Sequence, residues 1–325
     1  APVIDSPTSR GEIAEDDEIC FGPSGILGYE PIGDFIRESD VILALGSRLS
    51  DLQLARNDLL PQGVRIVQVN IDPSTIGRFH PVELGIVADA RRFSEQLIEA
   101  LDERRLPPPD EARRQWVAAK ASHIRDWRKA WLASAPDNGQ LQPQQVVQAM
   151  ADIFPRDSIF CHGAGNHSFY GYFLPVDPPG AHLTSARLGA MGCALGYGIG
   201  AKLVRPDQTV VVCIGDGDLM LQIGDLETLV REKLNVIVLV FNNFRLGSQY
   251  DRVAAYGKVH GVEHGNPDFA KLAELFGCAG FRVEAADQLD AVLRDALTMN
   301  GPTVIDLIID PEAQPPQIKL SKEAR

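Results

Sequence analysis

The feature that most constrains the fold is the stretch of residues 209–250, in which two apolar runs flank a glycine turn and an amphipathic segment. The first run ends at the Gly-Asp-Gly turn of residues 215–217, and the second ends on Asn242 and Asn243. Run lengths and breakers predict strand, turn, helix and strand, which together make one parallel βαβ unit. Both strands of such a unit deliver their C-terminal ends to the same sheet edge, where ligands of open α/β folds bind. We therefore expect Asp216 and Asn243 to meet.

The residues at this edge have the chemistry of a magnesium and phosphate site. A carboxylate, an amide oxygen and backbone carbonyls are hard oxygen ligands, which suit Mg²⁺ or Ca²⁺ better than zinc. Gly215 and Gly217 leave the backbone bare, so N–H groups at the start of the next helix can face a phosphate. Asp216 alone would repel a phosphate oxygen by roughly 4 kcal/mol per charge pair at about 4 Å and an effective dielectric of about 20. A divalent cation between the two groups reverses the sign.

The motif and three flanking segments resemble thiamin-diphosphate-dependent enzymes. GDG followed by a strand ending in NN is similar to the cofactor-binding motif of that superfamily. The flanks are similar to its acetolactate synthase-like branch, and they are GAGNHS at 163–168, TSARLGAMGCALGYGIGAK at 184–202 and NPDFAKLAELFG at 266–277. The resemblance extends over nearly the whole chain. It implies an α/β fold with two doubly wound parallel-sheet domains, namely an incomplete central nucleotide-binding-like domain and a thiamin-diphosphate-binding domain.

The resemblance also implies roles for residues near the organic part of the cofactor. Asn166 and His167 would face the diphosphate end, although His167 has a capping or core role as its alternative. The backbone carbonyl of Gly189 would accept a hydrogen bond from the aminopyrimidine ring. Met191 would be the bulky side chain that bends the cofactor, a role that an apolar and adaptable residue suits. Without the resemblance, Met191 would be interpreted as a core residue.

For the metal, the resemblance implies three ligands, which are Asp216, Asn243 and the backbone carbonyl of Arg245. Asp218 departs from the small hydroxyl residue that is common after GDG, and a carboxylate beside a diphosphate is unfavourable unless it turns away. His162 and His182 lack a metal-ligand partner at a credible spacing and are interpreted as structural. The predicted diphosphate contacts are completed by Gly215, Gly217 and Asp218.

Three segments are predicted along the chain: a central domain at 1–101, a helical linker at 102–140 and the diphosphate-binding domain at 141–325. Trp116, Trp127 and Trp131 in the linker are near helical spacing and are interpreted as a packing stripe.

The central domain starts at what would be its second strand, so we expect either a split subunit with a natural start or a fragment of a longer chain. The expected strands are 41–47, 65–71, 85–89 and 302–310, and the expected helices are 31–39, 52–60, 91–101, 143–154 and 266–276.

In relatives the central domain holds FAD, holds ADP or is empty, so FAD is an optional ligand of this chain. A nucleotide would sit at Arg10, Gly46, Ser47, Arg48 and Asp72. The alternative is that Gly46 and Asp72 only form turns at strand ends, and the residues alone leave both interpretations open.

Composition limits the partners and the compartment. The 325 residues carry a net charge of −13, which argues against nucleic acid or an anionic membrane as a partner. The five cysteines are scattered without CxxC spacing, which indicates buried thiols in a reducing compartment. No apolar run reaches the ~18 residues of a membrane span, and the start of the sequence has no signal-peptide pattern. We expect a cytoplasmic protein.

In the family, a glutamate that activates the cofactor belongs to a separate pyrimidine-binding domain, and no segment here resembles that domain. We therefore expect a homo- or hetero-oligomer in which another polypeptide, or a stretch outside these 325 residues, supplies the glutamate. The predicted function is an acetolactate synthase-like carboligase or lyase that uses thiamin diphosphate and Mg²⁺ on 2-oxo acids such as pyruvate. A 2-oxo acid decarboxylase or a 2-hydroxyacyl-CoA lyase, the latter with an acyl-CoA substrate, is the alternative. A non-catalytic nucleotide-binding or scaffold subunit is the alternative from a different class.

Overall fold

The computed structural model describes residues 1–26, 28–54, 59–177, 179–185, 188–257 and 259–316. Contacts divide these residues into two compact units. The first contains Ala1–Ser6 and Glu18–Asp126, and the second contains Pro7–Asp17 and Trp127–Pro316. Contact units and sequence domains need not coincide, so the domain boundaries at 101 and 141 stay predictions.

The first unit is built on parallel strands. Strands β1 and β2 form one parallel pair, and β3, β4 and β5 form a three-stranded parallel sheet in that order. A small apolar cluster joins Ala44 and Ile66 of the larger sheet to Leu54. The elements are β1 (Val3–Asp5), β2 (Cys20–Pro23), α1 (Glu30–Arg37), β3 (Val41–Leu45), β4 (Arg65–Asn70), β5 (Leu84–Val87), α2 (Ala90–Arg104) and the beginning of α3 (Glu111–Leu132), which continues into the second unit.

The helix predicted at 52–60 is wrong where the structure describes it. Residues 55–58 lie outside the described residues, and residues 51–54 form a turn in which the Leu54 N–H donates to the Ser50 carbonyl at 3.1 Å. The Leu52 carbonyl accepts a hydrogen bond from Ile26 at 2.8 Å. This tertiary bond and the burial of Leu54 and Leu59 replace the local helical pattern.

The second unit is organised around one six-stranded sheet with the order β10-β11-β9-β8-β6-β7, in which every pair is parallel. The predicted α/β class with parallel sheets is confirmed. The elements are α4 (Pro143–Ile153), β6 (Ile159–His162), α5 (Asn166–Tyr170), β7 (His182–Thr184), α6 (Ala194–Val204), β8 (Val210–Gly215), α7 (Asp216–Met220), α8 (Asp225–Arg231), β9 (Val236–Asn242), α9 (Gly247–Ala254), α10 (Phe269–Phe276), β10 (Ala279–Val283), α11 (Leu289–Thr298) and β11 (Thr303–Ile308).

The βαβ unit predicted from the apolar runs is present as β8, α7, α8 and β9. All seven residues of β9 are buried, as expected of a strand that is covered on both faces. The connecting helix is broken into two short helices. The predicted helix at 266–276 starts instead at Phe269, because the Asp268 side chain caps it by accepting from the Lys271 N–H at 3.0 Å. Asn266 precedes Pro267, which disfavours helical backbone at Asn266 and keeps it outside the helix.

The tryptophan stripe packs as predicted. In the first unit, the rings of Trp116 and Phe35 have centroids 5.2 Å apart. In the second unit, Trp127 and Trp131 stack on Phe173, with centroid distances of 5.6 and 3.8 Å. None of the helices in the described part of the chain is both long enough and apolar enough to cross a membrane.

Candidate active site

The site lies at the C-terminal ends of β8 and β9. These strands are hydrogen-bonded neighbours with Gly215 opposite Phe241, so Asp216 and Asn243 follow them at the same edge of the sheet. The side chain of Asn266 donates to both Asp216 Oδ2 and Asn242 Oδ1, each at 2.8 Å, which connects Asp216 to the end of β9. Phe244 has a φ of 58°, a strained backbone for a residue with a side chain. Parallel topology therefore brings together the two strand ends that the sequence singled out.

Asp216 is a buried carboxylate with fixed hydrogen bonds. Asp216 is only 2% exposed. Its Oδ1 accepts a hydrogen bond from the Gly217 N–H at 2.8 Å, and its Oδ2 accepts one from Asn266 Nδ2 at 2.8 Å. Burial raises the pKa of Asp216, while these two hydrogen bonds and the nearby His264 act to lower it. Within the described residues, no lysine or arginine charge compensates the carboxylate. A buried anion of this kind suits a cation ligand.

Asn266 connects Asp216 to the rest of the site, and sequence reasoning did not identify it. Its Nδ2 donates both to Asp216 and to Asn242 Oδ1, each at 2.8 Å. Its Oδ1 faces His264 Nδ1 at 3.0 Å. Asn242 in turn donates to Asp306 Oδ1 on β11 at 2.9 Å. The available sequence signal was an Asn-Pro pair before a helical segment, which predicts an amide held outside the helix.

Asn166 and Asn243 come together around Gly247, at the start of α9. A Cβ placed on Gly247 would lie 3.0 Å from Asn166 Nδ2 and 3.1 Å from Asn243 Nδ2. Asn243 Oδ1 accepts from the Arg245 N–H at 3.2 Å. The two amides thus approach bare backbone, which fits a cradle for a small polar ligand.

Arg245 was predicted to offer its backbone carbonyl to the metal. Its side chain leaves the sheet edge: Nη1 lies 2.7 Å from Glu312, and the guanidinium lies 4.1 Å from the centre of the Tyr250 ring. The carbonyl role stays a prediction. Among the described residues, no group of three or more His, Cys, Asp or Glu side chains could hold a metal. The predicted magnesium ligands are not such a group, because only one of the three is a carboxylate and the others are an amide oxygen and a backbone carbonyl.

Met191 and Gly189 lie in the segment before α6, and residues 186–187 lie outside the described part. Gly189 has a φ of 68° and donates its N–H to the Ser185 carbonyl at 2.7 Å. A Cβ on Gly217 would lie 3.7 Å from Met191 Cε and 3.5 Å from His264 Nε2. The thioether therefore lies beside the glycine turn. His264 Nε2 is buried there with no hydrogen-bond partner among the described residues.

His167 is a buried, neutral imidazole. Burial lowers its pKa to about 3. A Cβ on Gly215 would lie 3.0 Å from Nδ1, and the ring packs on Phe241 with centroids 6.3 Å apart. These contacts favour the core alternative for His167, and its contact with a cofactor stays a prediction. His162 and His182 are also buried, with ring centroids 4.7 Å apart, as their structural interpretation expects.

Asp218 does not extend away from the protein towards solvent. Its residue is 1% exposed, and its carboxylate accepts hydrogen bonds from the backbone N–H groups of Ala164 and Gly192. Asp218 thus has backbone partners within the protein, and its position relative to a bound diphosphate stays a prediction.

Arg10, Gly46 and Asp72, three of the five residues predicted for a nucleotide, have local partners. The buried Arg10 belongs to the second unit, where it pairs with Glu15 and donates to the carbonyls of Gly171 and Leu174 at 3.0 and 2.7 Å. FAD binding stays a prediction, which the flavin absorbance of the purified protein tests.

In the first unit, Gly46 and Asp72 both form turns at strand ends, and nucleotide binding at these residues stays a prediction. Gly46 has a φ of 64° and donates to the Val69 carbonyl at 2.9 Å. Asp72 caps a short helical turn by accepting from the Ser74 N–H at 2.9 Å.

Two family models match the chain. Residues 163–307 match the thiamine pyrophosphate enzyme C-terminal TPP-binding domain, and residues 1–97 match the thiamine pyrophosphate enzyme central domain. Thiamine pyrophosphate is another name for thiamin diphosphate. The chain therefore belongs to the thiamine pyrophosphate enzymes and carries their central and C-terminal domains.

Within this family, the chain is similar to acetolactate synthases. It is 28% identical to a probable acetolactate synthase large subunit of Methanococcus aeolicus, over 98% of this chain and 56% of that protein. It is 29% identical to an acetolactate synthase of Mycobacterium bovis, over 96% and 52%, and 28% identical to the acetolactate synthase large subunit of Haemophilus influenzae, over 95% and 54%. The chain thus spans about half the length of these relatives.

The residues present fit the cofactor that the family implies. The buried Asp216 carboxylate suits a divalent cation, and the cation would offset its repulsion of a diphosphate. Glycine at 217 and 247 allows Leu246, Asn166 and Asn243 to lie close to the backbone, because a Cβ would lie 2.5 Å from Leu246 Cδ2 and 3.0 Å from Asn166 Nδ2. His264 Nε2 is an orphaned polar atom at the same place.

Proposed function

We propose that this chain forms the diphosphate-binding half of a thiamin-diphosphate- and Mg²⁺-dependent carboligase or lyase that acts on 2-oxo acids such as pyruvate. The observation that carries the proposal is the buried Asp216 carboxylate at the end of β8, which Asn266 joins to Asn242 at the neighbouring end of β9, directly before Asn243. The similarity of the chain to acetolactate synthases favours a condensation reaction of the acetolactate synthase type.

Six of the predicted residues have a role in this proposed function. Asp216, Asn243 and the Arg245 carbonyl would hold Mg²⁺, and Asn166 would contact the diphosphate. Gly189 and Met191 would position the ring system. When bound, thiamin diphosphate supplies a carbon nucleophile and an electron sink for chemistry at a carbonyl group. The protein residues bind it, orient it and exclude water.

We further propose that a second polypeptide completes the active site by supplying a pyrimidine-binding domain and its glutamate. Support comes from apolar side chains that are exposed to solvent next to the site. Leu188 is 87% exposed, Met220 is 47% exposed and Leu221 is 65% exposed. A Cβ on Gly192 would touch Leu221, so this patch adjoins the Met191 segment. Exposed apolar patches of this kind mark interaction sites.

We propose a cytoplasmic location because the cysteines form no disulfides. Cys20, Cys161, Cys193, Cys213 and Cys278 are all free thiols. Free buried thiols are typical of proteins in reducing compartments. Localisation of a tagged full-length protein by fractionation tests this proposal.

The function is tested by calorimetric titration of the purified chain with thiamin diphosphate and Mg²⁺, alone and with a co-purifying partner, followed by pyruvate turnover. Binding together with turnover only when the partner is present supports the proposal. Product analysis then separates condensation from simple decarboxylation, and an acyl-CoA assay tests the lyase alternative. Absence of cofactor binding in both cases favours the scaffold alternative.

A further inference from the structure

Asp218 stands out because its buried carboxylate binds two different glycine-rich segments. Oδ1 accepts from the backbone N–H of Gly192 at 2.6 Å, and Oδ2 accepts from the backbone N–H of Ala164 at 3.0 Å. Gln222 Nε2 donates to Oδ1 at 3.0 Å. Hydrogen bonds to a charged acceptor are among the stronger ones in proteins, so this carboxylate can fix both segments.

The Gln222 side chain extends the connection to α6. Its Oε1 accepts from the backbone N–H of Leu195 at 2.9 Å, in the first turn of that helix. Gln222 is 7% exposed, and its hydrogen bonds to Leu195 and Asp218 are buried. One carboxylate and one amide thereby join the loop after β6, the segment before α6 and the residues that follow β8.

Gly163 leaves the space that the carboxylate occupies. A Cβ on Gly163 would lie 1.9 Å from Asp218 Oδ2 and 3.0 Å from Asp218 Cγ. No real Cβ approaches an oxygen so closely, and the oxygen cannot move without losing Ala164. A residue with a Cβ at 163 is therefore incompatible with the carboxylate in this position.

We propose that Asp218 is a positioning residue that holds the segments of Asn166 and Met191 in place, and that it forms an obligatory pair with Gly163. The carboxylate acts through the backbone of these segments and not through direct contact with the diphosphate. The positioning part rests on the proposed cofactor function. The pairing with Gly163 does not depend on that function.

The pairing is tested by a double-mutant cycle in urea unfolding of the cofactor-free chain, with Gly163→Ala, Asp218→Ser and the double variant. We expect Gly163→Ala to raise the unfolding equilibrium constant roughly tenfold or more in the native background. In the Asp218→Ser background, we expect the same change to raise it less than about threefold. Gly224→Ala, where a Cβ would meet no atom within 4 Å, is the control and should have equal effects in both backgrounds.

Equal effects of Gly163→Ala in the two backgrounds would overturn the pairing. If Gly163→Ala alone does not fold, the double variant decides. A folded double variant supports the pair, and a double variant that is unfolded while Asp218→Ser folds contradicts it.

The positioning role is tested by the sign of the change in cofactor affinity. If Asp218 acts through the segments, Asp218→Ser weakens thiamin diphosphate binding at fixed Mg²⁺, by about tenfold or more. If its charge instead faced the diphosphate, removing that charge would tighten binding. Tighter or unchanged binding therefore overturns the positioning role. A native chain that binds no thiamin diphosphate, either alone or with its co-purifying partner, would refute the positioning role together with the proposed function, while the unfolding cycle still decides the pairing.

Discussion

The orientation of the Asp216 carboxylate depends on Asn266, which lies 50 positions later in the chain. One amide nitrogen holds Asp216 Oδ2 and Asn242 Oδ1, while the amide oxygen faces His264. Asp216 could be predicted from the sequence because a carboxylate after a buried strand is a local signal. Asn266 could not, because its role depends on which strand lies next to which. The same holds for Asp218, whose partners Ala164 and Gly192 are distant in sequence.

Replacing Asn266 by aspartate should make the stability of the chain depend on Mg²⁺. Two carboxylates would then face each other at the 2.8 Å contact with Asp216 Oδ2, and like charges at about 4 Å repel by roughly 4 kcal/mol at an effective dielectric of about 20. We expect a lower thermal midpoint without metal and a recovery with Mg²⁺ that exceeds the shift in the native chain. Asn300→Asp, at an exposed position, is the control. No difference between the two variants would contradict the account.

The buried histidines predict a loss of stability in acid. Burial is the main cause that lowers the pKa of His162 to about 3, from an ordinary value of 6.5. In the unfolded chain, His162 therefore binds a proton below about pH 6.5, whereas in the folded chain it binds that proton only near pH 3. Between these values, each such histidine removes about 1.4 kcal/mol of unfolding free energy per pH unit as the pH falls.

Urea unfolding at a series of pH values measures this slope. We expect His162→Leu to reduce it, while His260→Leu, at an exposed histidine, leaves it unchanged. A slope that His162→Leu does not alter would show that other groups cause the acid sensitivity.

Helix α6 shows how far glycine patterns can be interpreted at the scale of elements. Glycines in a helix allow close packing on a neighbouring element, because they carry no Cβ. Only Gly198 does so in the structure, because a Cβ there would lie 2.4 Å from Val212 Cγ2 on β8. A Cβ on Gly196 or Gly200 would meet no atom within 4 Å. The pattern predicts that glycine matters in this helix, but the face in contact follows from the sheet that it covers.

Alanine substitutions in α6 should therefore have opposite effects. Gly198→Ala should lower the free energy of unfolding by roughly 1–3 kcal/mol, since a valine on a central strand cannot yield. Gly200→Ala should raise it by about 0.5–1 kcal/mol, since alanine favours a helix over glycine. Denaturant unfolding of the two variants checks both signs. Equal effects would mean that α6 does not pack on β8 through Gly198.

Element positions were largely predictable, whereas some element boundaries were not. The apolar runs of β8 and β9 predicted their strands to within about a residue, because burial on both faces gives continuous apolar sequence. The helix expected at 52–60 depended on local pattern alone, and a hydrogen bond from Ile26 to Leu52 overrides that pattern. The late start of α10 follows from Asp268, a capping signal that the sequence contained.

At the scale of the whole molecule, the exposed apolar residues Leu188, Met220 and Leu221 beside the site predict a surface that binds a partner. Leu221→Ser should leave the unfolding free energy of the isolated chain within about 0.5 kcal/mol, because the side chain is 65% exposed. It should nevertheless weaken activation by the partner polypeptide in the turnover assay.

Leu275→Ser is the matched control, since Leu275 is 85% exposed on α10 and has no part in the proposed surface. Activation that is equally weakened by both substitutions would contradict a partner surface at Leu221.

The measurement that tests the central claim most directly is the binding of thiamin diphosphate at increasing Mg²⁺, compared between the native chain, Asp216→Asn and Asp295→Asn. Asp216→Asn keeps the shape of the side chain and removes its charge, while Asp295 is an exposed carboxylate on α11. We predict Mg²⁺-dependent binding by the native chain and by Asp295→Asn, and its loss in Asp216→Asn with an unchanged unfolding transition. Mg²⁺-dependent binding of equal affinity in all three proteins would contradict the claim that Asp216 holds the cation.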